Sequence, residues 1–365
     1  GSSNAYTDTF ETVYFFSVFN DKLDKAIDMF SRFFIDPLFD PESVKKEIQA
    51  VHSEHSKNIN SDGWITDYFV DIISKKSSIV NRFRTGNLET LDKPNVREEM
   101  IAFHNKYYIP SNIAIITTSS ISNEMMKSKL IKTFGSISKK PHQNITVQKP
   151  LYNQGNEFYF LKSNDDNYRV IYLWEIPKLN EYKKTHHPWI LTNILNSKHK
   201  DSIKTFLIKK GLVKSLVSYL DNQGTLIIEI YLKDFTNWQV IDSYLRYFLD
   251  SLPKHNWYNV IDYFKKKDEL LFNYSSKEDF LELALMFSSN IFDHPIDKVY
   301  YEPAVISEID SEGIIDLINL LNHQNVKVIF SSKEVPNLSS IEILDKFTEP
   351  YYKIEYYKVN AKFNK

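Results

Sequence analysis

VYFFSV at residues 13–18 and LIIEIY at residues 226–231 are both β-rich runs without glycine or proline, the composition of a sheet strand. Each is followed by a short polar break and an amphipathic helical pattern, LDKAIDMFSRFF in the first case and WQVIDSYLRYFL in the second. Pro37 and Pro253 close these helices. A second helical pattern follows each time, SVKKEIQAVHSEH and WYNVIDYFKKKDELLF. Further on, VREEMIAFHNKYY leads into SNIAIITTS, and GIIDLINLLNHQ leads into NVKVIFSS, a helix running into a strand in both places. Val13 and Leu226 stand 213 residues apart, and so do Asn112 and Asn325. One offset held over about a hundred residues predicts a duplication, which should be sought before any other feature.

The expected fold is therefore α+β, with two homologous α/β sandwich-like units. Residues 1–138 form the first, 139–156 a polar, breaker-containing linker, and 157–365 the second. The second copy opens with two strand-like runs, EFYFLKS and YRVIYLWEI, and a helical run, WILTNIL through IKTFLIKKGLV. At the same offset their counterparts fall before residue 1. The first copy is thus expected to lack its opening strand and helix, and so to expose a strand edge and a helix face.

The chain of 365 residues is 42% hydrophobic and 15% aromatic, which suits buried cores in two domains. A net charge of -2 without a long basic run argues against nucleic acid as a partner. No apolar run approaches the ~18 residues of a membrane-spanning helix. Cysteine is absent, which excludes disulfides and thiol catalysis and leaves the compartment unspecified.

EIQAVHSEHSKN, residues 47–58, carries His52, Glu54 and His55 on a predicted helix. His52 and His55 have the spacing of one helix face, but Glu54 is turned about 100° from His55. The helical zinc motifs H-E-x-x-H and H-x-x-E-H place their histidines four apart, and H-S-E-H is one residue short. Glu47 and Glu54 are seven apart, about 700° of helix, so both carboxylates share a face two turns apart.

With these residues in view, the chain resembles the insulinase (pitrilysin-type, inverzincin) zinc metallopeptidases. SSNAYT, ETVYFFSV, FFIDPLFDPESVKKEIQAVHSEHSKN, RTGNLETL and VREEMIAFHNKYYIPSNIAI are similar to consecutive signatures of that family's first domain. LWEIPKLNEYKKTHHPWIL, LIKKGLV and TEPYYKIEYYKV are similar to its second domain. The resemblance implies one half of a clamshell of four related α+β domains. It implies Glu54 as the third ligand of a zinc whose other two ligands come from an H-x-x-E-H helix, Glu47 as a residue supporting that site, and His52 and His55 as bystanders. It also implies that Asn4, Ala5 and Tyr6 lie on an edge strand that receives a peptide substrate as an added β-strand. Tyr6 and Trp64 would line the pocket beside the scissile bond, and Ser218 and Tyr219 would be the partner strand of an exosite.

H-x-x-E-H occurs nowhere in the 365 residues, and His186-His187 has no ligand-spaced glutamate. A catalytic zinc needs three protein ligands and a water. The chain is therefore expected to hold no zinc stably by itself, although the intact parent would hold one. Its expected partners are peptide substrates, the missing N-terminal segment and a C-terminal half of the clamshell, with self-association through exposed edges. Where family members carry a glycine-rich exosite loop, this chain reads NSKHKDSI, and SSIVNRF lacks the usual His-Pro. Two functions follow as expectations: part of a zinc metalloendopeptidase that is inactive alone, or a non-catalytic subunit that binds peptides or walls a chamber. Retention of Glu47 and Glu54 on what should be a buried face favours the first.

Overall fold

The computed structural model describes residues 1–138, 149–276 and 279–363, so residues 139–148 of the expected linker lie outside the described residues. The first elements are β1 (Ser2–Thr7), β2 (Thr12–Ser17), α1 (Leu23–Ile35), α2 (Pro41–Asn58), α3 (Asp62–Ile72), α4 (Leu88–Leu91), α5 (Val96–Tyr107) and α6 (Asn123–Phe134). Then come β3 (Glu157–Lys162), β4 (Tyr168–Glu175), α7 (His187–Asn196), α8 (Ile203–Lys209), β5 (Val213–Leu220), β6 (Thr225–Leu232), α9 (Trp238–Ser251) and α10 (Trp257–Tyr274). The last are α11 (Phe280–Asn290), α12 (Ser311–Leu320), β7 (Lys327–Ser332), β8 (Ile341–Thr348) and β9 (Glu355–Ala361). The chain is α+β, as the alternation of strand and helix patterns requires.

Two compact units are present, and they are not the contiguous blocks 1–138 and 157–365. The first comprises Gly1–Lys57, Thr85–Thr146 and Tyr274–Pro303; the second comprises Asn58–Arg84, Val147–Asn273 and Ala304–Lys365. Each takes one helical segment from the other's stretch of sequence: α3 belongs to the second unit and α11 to the first. The sequence hid this because a helix pattern shows which face is apolar and not which sheet the face covers.

The second unit is built on a seven-stranded sheet of order β5-β6-β4-β7-β3-β9-β8, antiparallel except for the parallel β3–β7 pair. Side chains alternate cleanly across it. Val170, Tyr172, Trp174, Ile228, Ile230 and Phe330 face a core shared with α7, α8, α9, α10 and α12. Ile171, Leu173, Ile227 and Ile329 face the other way, onto Ile65, Phe69 and Val70 of α3. Burial on both faces explains why β4 reads YRVIYLWE rather than as an apolar–polar alternation. Its buried charge, Arg169, donates to Glu229 at 3.0 Å and to Ser331 Oγ at 3.2 Å, while Glu175 ends the strand and accepts from Leu151 N.

The first unit has a smaller core. Ile27 of α1, Met126 and Phe134 of α6 and Ile137 are buried, with Phe16, Phe30 and Phe34 packed half-buried against them. Its sheet is the β1–β2 hairpin. The expected strand in SNIAIITTS does not form: residues 113–119 have no ladder partner. In the second unit β7, the counterpart of this segment, is held between β4 and β3, and without flanking strands an apolar run cannot pair its backbone groups. For the same reason α11, although rich in Leu, Met and Phe, buries no residue fully, whereas α3 buries six.

The duplication shows in packing register. Val44, Ile48, Val51 and His55 of α2 point inward, as do Trp257, Ile261, Phe264 and Asp268 of α10, each pair 213 apart. On α1 and α9 the equivalent offset is 214, matching Ile27 with Ile241 and the Asp28–Arg32 ion pair (3.7 Å) with Asp242–Arg246 (3.0 Å). In the hairpins Asp8 donates to Glu11 and Asp221 to Thr225, so β1 matches β5 at 213 while Val13 matches Ile227 at 214. The pairing of Val13 with Leu226 is therefore displaced by one residue, which the second turn absorbs.

Candidate functional site

α2 packs through one stripe. Val44, Ile48 and His55 are buried and Val51 is half-buried, which places them within about 60° of one another on the helix. His52 adjoins this packed side and is half-buried, and its Nδ1 is enclosed without a hydrogen bond. Glu47 and Glu54 lie about 70–90° round from the centre of the stripe and are exposed. The expected buried acidic face is thus an exposed one. The two carboxylates flank the packed stripe, and neither makes a hydrogen bond or ion pair with a described residue. His52, Glu54 and His55 do not converge, and among the described residues no three of His, Cys, Asp and Glu could hold a metal together. On α10 the positions in register with Glu47 and Glu54 are Val260 and Lys267, so the acidic pair belongs to the first copy alone.

Asn4, Ala5 and Tyr6 lie on β1, whose six residues are all exposed. The Asp8-to-Glu11 backbone bond, 2.8 Å, fixes the parity of the ladder. Ser2, Asn4 and Tyr6 therefore bond across to β2, while Ser3, Ala5 and Thr7 turn their N–H and C=O groups to the open edge. The Ala5 N–H donates to Asn4 Oδ1 at 2.9 Å, which confirms that it points outward. Tyr6 is 40% exposed and stands close to Glu11 in the hairpin turn. Burial, with Asp8 and Asp293 nearby, raises the Glu11 carboxyl above its ordinary value, and the Tyr6 and Ser289 hydroxyls oppose the rise.

Ser218 and Tyr219 lie on β5, the terminal strand of the large sheet. By the 213 offset they correspond to Ala5 and Tyr6. The Asp221-to-Thr225 bond gives the same parity, so Ser218 turns its backbone outward. Its side chain is buried and donates to Thr192 O at 3.1 Å, whereas Tyr219 is exposed on the opposite face. Trp64, 48% exposed, is on α3 in this unit, three residues before the exposed Asp67. Burial and the charges of Glu229, Asp67 and Asp221 push the Tyr219 phenol up, so Tyr219 and the acidic end of α3 share one neighbourhood. Asp71, buried one turn beyond Asp67, sits 2.6 Å from Arg84 Nε, and burial nevertheless lifts its carboxyl to about 7.

Sequence reasoning missed Asn196, whose carboxamide bonds Ser218, and Asp67. A partner 22 residues away leaves no local pattern, and an acidic residue on a helix reads as a solvated face.

Comparison with known proteins agrees with this architecture. The model of the insulinase family, peptidase family M16, matches residues 1–74, and that of the peptidase M16 inactive domain matches residues 95–254. The putative zinc protease mug138 of Schizosaccharomyces pombe is 27% identical over 92% of this chain and 36% of its own length. The insulin-degrading enzyme of Drosophila melanogaster is 26% identical over 98% of this chain and 37% of its own. The crystal structure of pitrilysin superposes with a TM-score of 0.88 at 20% identity, over 98% of this chain and 39% of that one. The chain therefore spans a little over a third of the curated relatives it matches. Two successive models of one family, the first over the strand and helix that carry Tyr6 and Glu54 and the second running from the first copy into the second, show that the chain belongs to the insulinase family of peptidases.

Proposed function

We propose that this chain is part of a zinc metalloendopeptidase that acts on peptides inside a closed chamber, to which it contributes one metal ligand and a peptide-binding edge. Glu54 is the ligand and Glu47 supports it from two turns earlier on α2. The observation that carries this reading is the exposed, unpartnered pair itself. Helix α2 packs through the stripe beside them and both are exposed, so the carboxylates are not there for the core, and in α10 their positions hold Val260 and Lys267.

One carboxylate does not make a zinc site, because the remaining ligands need side chains that no described residue brings near Glu54. By this reading the chain alone has no peptidase activity. The residues that complete the site lie on a segment whose strand pairs with β2 and with residues 113–119, as β4 pairs with β6 and β7. A further half encloses the substrate. When zinc is bound, it would lower the pKa of a water for attack on a peptide carbonyl. What this chain's own residues do is bind and orient: Ser3, Thr7 and the Ala5 carbonyl offer main-chain groups to an extended peptide, and Tyr6 stands beside its course. Main-chain bonding of this kind recognises extended, unfolded peptides with little sequence preference.

The second reading, a non-catalytic peptide-binding subunit, draws support from β5, where the NSKHKDSI segment is glycine-free and the edge is already occupied. The two are separated by assaying the parent polypeptide on an unstructured fluorogenic peptide. Glu54→Gln should abolish turnover while leaving peptide binding within about twofold. Undiminished turnover in Glu54→Gln, or none in the unaltered parent, would contradict the first reading.

A further inference from the structure

The outer edge of β5 should present a row of unpaired backbone groups, since β5 is the last strand of its sheet. At Ser218 it does not. The Asn196 carboxamide accepts from Ser218 N at 2.8 Å and donates to Ser218 O at 2.7 Å. That reciprocal pair is what one residue of an incoming antiparallel strand would make with the edge. Asn196 is the last residue of α7 and is fixed there by the turn that follows. Thr192, one turn earlier, accepts from Ser218 Oγ, and Ser202 Oγ closes the intervening loop onto Ser197 O at 2.6 Å. At the equivalent position in the first unit, Ala5 N is taken by Asn4 Oδ1, but the Ala5 carbonyl has no hydrogen-bond partner among the described residues.

We propose that Asn196 is a built-in guard of the β5 edge: its carboxamide stands where the peptide group of an added strand would bind, so a peptide adds to β1 and reaches β5 only when Asn196 swings away. This deepens the proposed function and rests on its reading of peptides as added strands. The occupant is an extended peptide, because the guard copies one peptide group. A basic residue placed over Tyr219 suits the edge, since Asp67 lies exposed there with its nearest described cation, Arg84, ion-paired to Asp71, while Glu229 is paired with Arg169.

Hydrogen exchange by residue, with and without a 12-residue peptide of alternating Thr, Val and Lys, tests this on the unaltered chain, Asn196→Ala and Asn196→Asp. Without peptide, the Ser218 amide should be protected in the unaltered chain and exchange about tenfold faster in Asn196→Ala, the effect of one hydrogen bond. Asn196→Asp keeps the acceptor but sets a carboxylate against the Ser218 carbonyl, and retains the size of the side chain should Asn196→Ala fold poorly. With peptide, residues 3–7 should be protected in every form, and residues 216–220 only in the variants. Equal Ser218 exchange in all forms, or peptide protection of 216–220 in the unaltered chain, overturns the guard. Protection that stays absent from 216–220 in both variants while 3–7 are protected also overturns it. A slow Ser218 amide in the unaltered chain alone, with no peptide protection at either edge, upholds the guard and overturns the strand-addition reading beneath it. Dimerisation of Asn196→Ala through 216–220 would replace the peptide with a second copy of this chain and overturn the choice of occupant.

Discussion

Asp71 is held ionisable in the second unit by two opposed effects: burial, the larger, raises its carboxyl to about 7, and the Arg84 guanidinium at 2.6 Å pulls it down. Between its unfolded value near 3.9 and about 7, the folded state binds more protons than the unfolded one, so stability falls as pH rises across that window. Asp242 and Asp268, raised by burial to about 6, add to the same slope at its acid end. His323, lowered by burial to about 4, works against it, since its contribution is lost as pH falls below about 6.5. Between pH 6.5 and 8 the tails of Asp242 and Asp268 are offset by that of unfolded His323, and Asp71 carries the slope. Thermal denaturation should show the midpoint decreasing over that interval in the unaltered chain and staying flat in Asp71→Asn. A slope unchanged by the substitution would assign the titration elsewhere. None of this is legible in DYFVDIISKK, because the burial of Asp71 depends on α3 lying over a sheet formed far along the chain.

At the scale of elements, the two copies differ in how much each helix finds to cover. Phe69 of α3 is fully buried, with Tyr159 and Tyr356 rings at 5.8 and 5.1 Å, so Phe69→Ala should cost about 3–5 kcal/mol in denaturant unfolding of the second unit. The first unit buries eight apolar side chains among the described residues, with only Ile27, Met126, Phe134 and Ile137 joined in one cluster, and leaves Phe10, Phe19, Met29, Phe33 and Leu38 exposed. Amides of α2 around Glu54 should therefore exchange faster than those of α10 around Lys267; equal protection would mean that the first unit needs nothing further to be stable. The order of strands and helices, the duplication and the offset were readable because periodicity and turn residues are local. The exchange of α3 and α11 between the units, and the failure of residues 113–119 to form a strand, were not, since each depends on which partners are present rather than on what the segment prefers. Register was readable to within one residue, the one that the Asp221–Thr225 turn absorbs.

For the molecule as a whole, the family was legible in the ordered motifs from SSNAYT to TEPYYKIEYYKV, and the candidate ligand in the seven-residue step from Glu47 to Glu54. The sequence misled on burial: an acidic pair expected at a zinc site suggested an enclosed face, and both carboxylates are exposed on this chain. That exposure is what a ligand awaiting the remainder of its site would show, and it makes Glu54 the residue on which the account stands. The direct test is zinc content after exhaustive dialysis, measured by atomic emission on this chain, on the parent polypeptide and on the parent carrying Glu54→Gln. Expected are well under one zinc for the chain, about one for the parent, and loss of most of it in the variant, since a zinc site that loses one of three protein ligands opens. A stoichiometric zinc on the chain alone, or a Glu54→Gln parent that keeps its metal, would contradict that expectation.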